Sequence, residues 1–201
     1  MKGRTVKWLT RLGSPLLLLL ILATVVLVRG TWADTASRDP AAPEDGITCQ
    51  LFLTPDGHKV VRAAVVLNHA PETVWSRLTA FERYPDMFPT VQTFRVDAGP
   101  PAQAILDVRT FWGIKHLEGR MTRDDTPAGR VLTFEDLEGD AHVHLARFTL
   151  TGRPGGQSLL VYEVDADVPG YPSAIVRNVF RSRNPVILRT IREQLDKNPG
   201  P

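Results

Sequence analysis

The chain has 201 residues, of which 43% are hydrophobic and 23% charged, an ordinary balance for a folded globular protein of one or two domains. Its net charge is +2, but five basic residues and no acidic residue precede Asp34, which leaves −3 for the remainder. A slightly acidic remainder argues against a nucleic-acid-binding surface. The single cysteine, Cys49, excludes an intramolecular disulfide and a cysteine metal cluster.

The N-terminal segment combines basic residues with a long apolar run. Seventeen uncharged residues separate Arg11 from Arg29. As a helix they would be about 26 Å long, at the short end of what spans a bilayer. We expect either a signal anchor, with Trp8 and Trp32 in the two interfacial regions, or a signal peptide cleaved near Ala33. The anchor is the favoured alternative.

These alternatives define the predicted domain organisation. Residues 1–33 form the signal anchor or signal peptide, residues 34–45 a linker rich in Pro and Ala, and residues 46–198 one domain. An anchor predicts a single-pass membrane protein with its domain on the extracytoplasmic side, which is the periplasmic side if the chain is bacterial. Cleavage predicts a secreted or periplasmic protein instead.

The first elements of the domain are predicted from local patterns. Alternating apolar side chains predict a strand that ends at Leu67. Pro71 suits the first turn of a helix, and apolar residues at three- and four-residue steps from Val74 give that helix one apolar face. Pro85 and Pro89 predict that the helix stops and that an irregular, partly apolar connection follows.

The middle of the chain predicts six consecutive strands over residues 91–168, separated by turns rich in Gly, Pro and Asp. Their regular spacing indicates an antiparallel meander. In the last strand Tyr162 and Val164 fall on one face and Glu163 and Asp165 on the other. One face of the sheet should therefore be covered and the other exposed to solvent.

Pro172 opens a long predicted C-terminal helix, and Pro185 inside it should kink or split the helix. The apolar stripe of this helix includes Val179 and Ile187. The helix also carries the arginines Arg177, Arg181, Arg183 and Arg189. They form either a solvated helix face, which we favour, or a cationic face for anionic lipid headgroups.

The order strand, short helix, antiparallel sheet and long helix resembles the helix-grip (START-like) superfamily, which includes polyketide cyclase/dehydrase and coenzyme Q-binding START-type proteins. The stretch LNHAPETVWSRLTAFERYPDMFPTVQTFRV is similar to its most recognisable segment, and the resemblance covers residues 46–197. Ala80 departs from the family, which often has Asp at that position. The resemblance implies an α+β fold whose curved antiparallel sheet wraps around the C-terminal helix, with an apolar space between them.

We expect ligand-binding side chains to line this space. The candidates are Trp112, Phe134, His144, Phe148, Tyr162, Val179, Ile187, Tyr84 and Met87. In a regular strand His144 shares a face with Ala146 and Phe148, and Tyr162 would offer a hydroxyl in an apolar pocket. His142 and His144 have no third ligand in the sequence pattern, so we expect neither a metal nor a cofactor. The pattern identifies no catalytic residue.

The favoured function is a non-enzymatic binding or transport protein for a hydrophobic small molecule, such as a lipid, an isoprenoid quinone or a polyketide-like compound. The N-terminal segment would hold it at the membrane beside a membrane-dissolved ligand. One alternative is a cyclase/dehydrase-type enzyme that uses Tyr162 or His144 as an acid or base. Another is a protein-interaction module of unknown partner. Motifs of nucleotide-binding proteins and common hydrolases are absent from the sequence.

Overall fold

The computed structural model describes residues 46–55, 57–110, 113–126 and 129–197. The described elements, in chain order, are β1 (Ile47–Leu53), β2 (Lys59–Leu67), α1 (Pro71–Leu78), a 3-10 turn (Phe81–Arg83), α2 (Tyr84–Met87), β3 (Val91–Asp97), β4 (Ala102–Thr110), β5 (Gly113–Thr126), β6 (Gly129–Gly139), β7 (His142–Arg153), β8 (Gln157–Asp167) and α3 (Ser173–Lys197).

The predicted membrane segment and linker lie outside the described residues, so both stay predictions. Within the part of the chain that is described, no helix is both long and apolar enough to cross a bilayer.

The eight described strands form one antiparallel sheet in the order β1-β2-β8-β7-β6-β5-β4-β3. The predicted meander of six strands is confirmed as β3 to β8, and the predicted strand before α1 is confirmed as β2. Strand β1 was not predicted, and it pairs along β2 from Ile47 opposite Val65 to Leu53 opposite Lys59. The added strand places β1 and β3 at the two edges of the sheet.

A bulge in β6 bends the sheet. The register between β5 and β6 shifts by one residue between Glu118 and Arg120, and Asp136 on β6 has a left-handed φ of 52°. Gly119 of β5 lies against this bulge, where a Cβ atom would stand 2.5 Å from the Asp136 carbonyl oxygen. Only glycine permits so close an approach of the two backbones, and the bulge gives the strand its local bend.

A second bulge lies in the neighbouring strand, β7. Its register with β8 shifts by one residue between Val143 and Leu145. The two bulges are adjacent, because Leu137 of β6 pairs with Val143 of β7. Extra residues in two neighbouring strands concentrate the bend at one level of the sheet.

The short helix α1 follows the prediction, with Val74, Trp75 and Leu78 buried on one face. The prediction of an irregular connection after α1 is wrong. A 3-10 turn and the single-turn helix α2 fill this segment instead. Pro85 lies in the first turn of α2, where the missing N–H has no intrahelical acceptor to lose. Proline therefore starts a helix here, and α1 ends at Leu78 without one.

Helix α3 runs without a break through Pro185, so the predicted split does not occur. The preceding residue, Asn184, is fully buried, and its Nδ2 donates to the carbonyl oxygen of Val61 at 3.0 Å. This bond joins the middle of α3 to β2. The helix packs mainly on β1, β2 and β8 and makes few contacts with β3 to β7. The curved sheet and the helix therefore separate on the side of β3 to β7.

The outer face of β8 differs from the solvent-exposed face that was predicted. Glu163 is only 3% exposed, and its two carboxylate oxygens accept from Arg62 Nη2 at 2.6 Å and Arg147 Nη2 at 2.8 Å. Asp165 lies 3.1 Å from His58 Nδ1 on the same face. Ion pairs across neighbouring strands thus cover this part of the sheet, because a buried carboxylate requires charged partners.

Candidate functional site

A cavity of about 480 Å³ lies between α3 and the inner face of the sheet. Side chains from β3 to β8, from α2 and the residues after it, and from α3 form its walls. The walls are mainly apolar, and the volume falls within the range of small-molecule sites, roughly 300–1,000 Å³. Exposed residues of α3, including Val186 at 42% exposure, also line the cavity, so it opens to solvent beside this helix.

The structure places six of the predicted ligand-binding residues together in the walls. They are Phe134, Phe148, Tyr162, Val179, Ile187 and Tyr84. A contact of these side chains with a ligand stays a prediction. Trp112 lies outside the described residues.

The prediction for His144 is wrong, because the residue lies on the opposite face of β7. The bulge between Val143 and Leu145 changes the phase of the strand, so that Val143 and Ala146 both line the cavity although they are three residues apart. His144 points outward, where its Nε2 lies 3.2 Å from Asp167 Oδ2. No imidazole of His144 is therefore available to chemistry inside the cavity.

The prediction for Met87 is also wrong. Met87 is 4% exposed and belongs to the hydrophobic core, but it does not line the cavity. It ends the single-turn helix α2, in which successive side chains point in different directions. The next residue, Phe88, turns toward the cavity instead. Over so short a helix the sequence has no apolar period that separates these two directions.

Tyr162 offers a hydroxyl group within the apolar walls. Its ring stacks on Phe148, with ring centroids 4.3 Å apart and an interplanar angle of 16°. No hydrogen bond joins its hydroxyl to any residue that the structure describes. Burial raises the pKa of Tyr162, so the phenol stays protonated and can donate a hydrogen bond near neutral pH.

Tyr84 has a structural role for its hydroxyl. Its OH donates to the carbonyl oxygen of Leu78 at 2.6 Å, which ties α2 to the last turn of α1. Burial above all, and then the nearby Tyr162, raise the pKa of Tyr84. Its ring also meets Phe88 edge-on at 5.3 Å. Tyr84 thus presents an aromatic surface to the cavity while its donor is already bonded.

The charged residues of the walls all have one sign. Arg109, Lys115 and Arg183 line the cavity, and no described acidic side chain does. Arg183 was predicted to lie on a helix face that is either solvated, the favoured alternative, or cationic toward lipid headgroups, and neither Arg109 nor Lys115 was predicted to line the cavity. The available signal was the alternation in β5, which places Lys115 on the same face as Leu117.

Two other candidate chemistries have no support among the described residues. No group of three or more His, Cys, Asp and Glu residues there is arranged to hold a metal ion. Cys49 is partly buried and its Sγ donates to the Arg181 carbonyl oxygen at 3.4 Å. Burial raises the pKa of Cys49 to about 11, against the opposing effect of Arg181, so the thiol is not an activated nucleophile.

A curved antiparallel sheet with a long C-terminal helix across an apolar cavity defines a START-like, helix-grip domain. The chain belongs to the family described as polyketide cyclase / dehydrase and lipid transport, whose profile matches residues 67–192. A comparison with curated proteins found no match.

Solved structures share the fold at low sequence identity. A START superfamily protein from Mycobacterium smegmatis is 20% identical, with a TM-score of 0.58 over 70% of this chain and 99% of that one. The lipid transfer and protein localization domain of human StarD13 is 14% identical, with a TM-score of 0.64 over 86% and 95%. The Zhui aromatase/cyclase of a Streptomyces species is 18% identical, with a TM-score of 0.59 over 71% and 96%.

Proposed function

We propose that the domain binds a hydrophobic small molecule, such as a lipid, an isoprenoid quinone or a polyketide-like compound, inside the cavity. The observation that carries the proposal is the apolar cavity of about 480 Å³ between α3 and the sheet. Burial of an aliphatic or polycyclic ligand against such walls yields roughly 25 cal/mol per Å² of apolar surface. The lipid-transport description of the family supports the same class of ligand.

The proposal includes a membrane tether. The basic, Leu-rich segment that ends before Asp34 would hold the domain beside the bilayer, on its extracytoplasmic side. A tethered domain meets a membrane-dissolved ligand at a high effective concentration without any additional contact. Fractionation of cells that express the full chain, followed by protease protection, tests this part. Protection of the domain by the intact membrane and its loss on permeabilisation are expected, whereas a wholly soluble chain would overturn the tether.

Solvent extraction of the purified full chain, followed by mass spectrometry, tests the bound ligand. We expect an amphiphile that co-purifies with the wild type and is depleted from Ala146→Phe, because a phenyl group at this wall position fills the cavity. The matched control is His144→Phe, which lies on the same strand but faces outward. Equal amphiphile content in all three preparations would contradict binding in the cavity.

Tyr162 favours a second candidate, an enzyme of the cyclase or dehydrase type. Its hydroxyl makes no hydrogen bond with any described residue, and one similar structure is named an aromatase/cyclase. Because burial raises the pKa of Tyr162, the phenol would act as an acid or hydrogen-bond donor rather than as a base. Loss of turnover in Tyr162→Phe at unchanged affinity would support the enzyme, and reduced affinity without any turnover would support the carrier.

A further inference from the structure

The charges along the cavity indicate more about its ligand than the apolar walls do. Arg109, Lys115 and Arg183 contribute to the walls, and no described acidic residue balances them there. Arg109 is already bonded, because its Nη2 donates to Gln92 Oε1 at 3.0 Å. The side chains of Lys115 and Arg183 have no hydrogen bond or ion pair with a described residue. Two cations of the site are therefore available to a ligand.

Lys115 occupies a position that an apolar residue would ordinarily fill. In β5 it shares the inner face with Leu117, and in the neighbouring strand it pairs directly with Val108, which also lines the cavity. The side chain is half-buried. A partly desolvated ammonium group is unfavourable without an anionic or hydrogen-bonding partner, and no described acidic side chain lines the cavity near it.

Arg183 approaches the same cavity from α3. It is exposed, and its neighbours in the wall are Val179, Val186 and Ile187 of the same helix. A guanidinium at the opening can remain hydrated when the cavity is empty and can bind a carboxylate or phosphate with two parallel hydrogen bonds when it is filled. Lys115 and Arg183 thus place positive charge on both the sheet side and the helix side of an apolar chamber.

We propose that the ligand is an anionic amphiphile, whose hydrocarbon portion fills the cavity and whose carboxylate or phosphate group is bound by Lys115 and Arg183. This inference rests on the proposed function and specifies the ligand's charge. It also specifies orientation, with the anionic group at the solvent opening beside α3 and the apolar portion toward Phe148 and Tyr162.

Binding of a matched pair of probes tests the inference. The full chain is reconstituted in phosphatidylcholine nanodiscs and titrated with the fluorescent fatty acid cis-parinaric acid and with the uncharged cis-parinaryl alcohol, against protein-free nanodiscs. We expect the wild type to bind the acid at least tenfold more tightly than the alcohol, because about tenfold is what a single charge-assisted contact contributes. Lys115→Gln and Arg183→Gln should each lower the affinity for the acid about tenfold and change the affinity for the alcohol by less than about twofold.

Arg181→Gln is the matched control, because Arg181 lies two residues from Arg183 on the same helix, is exposed and does not line the cavity. It should bind both probes as the wild type does. Displacement of the acid by lysophosphatidic acid and by unlabelled oleate then distinguishes a phosphate from a carboxylate headgroup. Stronger displacement by one of the two assigns the class, and displacement by both supports the shared anionic chemistry.

The failure of this inference differs from failure of the proposed function. If acid and alcohol bind equally and neither glutamine variant changes the affinity for the acid, the anionic ligand is refuted while hydrophobic binding stands. If neither probe binds and no amphiphile co-purifies, the proposed function fails as well. If the glutamine variants retain their probe affinities and lose only sedimentation with phosphatidylglycerol vesicles, the two cations serve a membrane surface and the inference is overturned.

Discussion

Two tyrosines at the cavity, Tyr84 buried and Tyr162 partly buried, use their hydroxyl groups in different ways. Tyr84 donates to the Leu78 carbonyl oxygen at 2.6 Å, whereas Tyr162 has no hydrogen-bond partner among described residues. The raised pKa of each follows from burial, which disfavours the phenolate. The same residue type thus stabilises the fold at one position and remains available to a ligand at the other.

This difference predicts different costs of removing each hydroxyl. Tyr84→Phe leaves the Leu78 carbonyl without its donor in a buried place and should lower the free energy of unfolding by about 1 kcal/mol. Tyr162→Phe should change it by less than about 0.5 kcal/mol. Urea denaturation followed by tryptophan fluorescence measures both. A loss for Tyr162→Phe as large as that for Tyr84→Phe would refute a free hydroxyl.

Asp167 predicts a pH dependence of stability. Hydrogen bonds from Ser173, at the start of α3, and then from His144 lower the pKa of Asp167, outweighing the opposite effect of burial. A carboxyl group with a lowered pKa in the folded state stabilises the protein above its ordinary pKa, and this contribution is lost as the pH falls through the lower value.

The stability difference between wild type and Asp167→Asn should therefore be largest near neutral pH and shrink as the pH falls below about 4. Denaturation titrations at a series of pH values measure the difference. Ser173→Ala removes the hydroxyl that does most to lower the pKa of Asp167 and should reduce the same pH dependence. A difference that does not vary with pH would show that Asp167 is not stabilised as the carboxylate.

At the scale of elements, the paired bulges of β6 and β7 determine which side chains face the cavity. They bring Leu137 and Val143 onto the inner face at the level where Asp136 takes a left-handed φ. Gly119 makes this geometry possible, because its backbone lies directly against Asp136. The bend of the sheet depends on these few residues.

Gly119→Ala should therefore destabilise the protein strongly, by about 2 kcal/mol or more, since the new Cβ atom would collide with backbone atoms of Asp136 and Leu137. Gly99→Ala is the control, because a Cβ there has its nearest neighbour at 3.7 Å, an ordinary contact. It should change the unfolding free energy by less than about 0.5 kcal/mol. Thermal unfolding measures both variants, and equal losses would contradict the role of the bulge.

The strands β3 to β8 and the helix α3 were predictable, because alternation, turn residues and helical periodicity are local signals. Edge strand β1 was not, since five of its seven residues are half-buried and no clean alternation results. The bulge at His144 was not predictable either, because an extra residue has no sequence pattern of its own. It shifts the alternation of the strand by one residue, so the faces assigned from one side of the bulge are wrong on the other. Six of the predicted ligand-binding residues therefore lie in the cavity walls, while His144 does not, and contact of the six with a ligand stays a prediction.

At the scale of the whole molecule, the position of α3 accounts for the cavity. The helix packs on β1, β2 and β8, and Asn184 fixes its middle to β2 through the Val61 carbonyl oxygen. The other half of the curved sheet stands away from the helix and leaves the apolar space between them. Packing of α3 on β1, β2 and β8 thus stabilises the fold, while the cavity lies between α3 and the inner face of the sheet.

Probe binding to Ala146→Phe and His144→Phe tests the central claim most directly. The two residues are two apart on β7 and would share a face in a regular strand, but the bulge places Ala146 in the cavity wall and His144 outside. We predict that cis-parinaric acid binds His144→Phe as it binds the wild type, and that Ala146→Phe weakens binding at least tenfold while remaining folded by circular dichroism. Unchanged affinity in a folded Ala146→Phe, or an equal loss in both variants, would contradict ligand binding in this cavity.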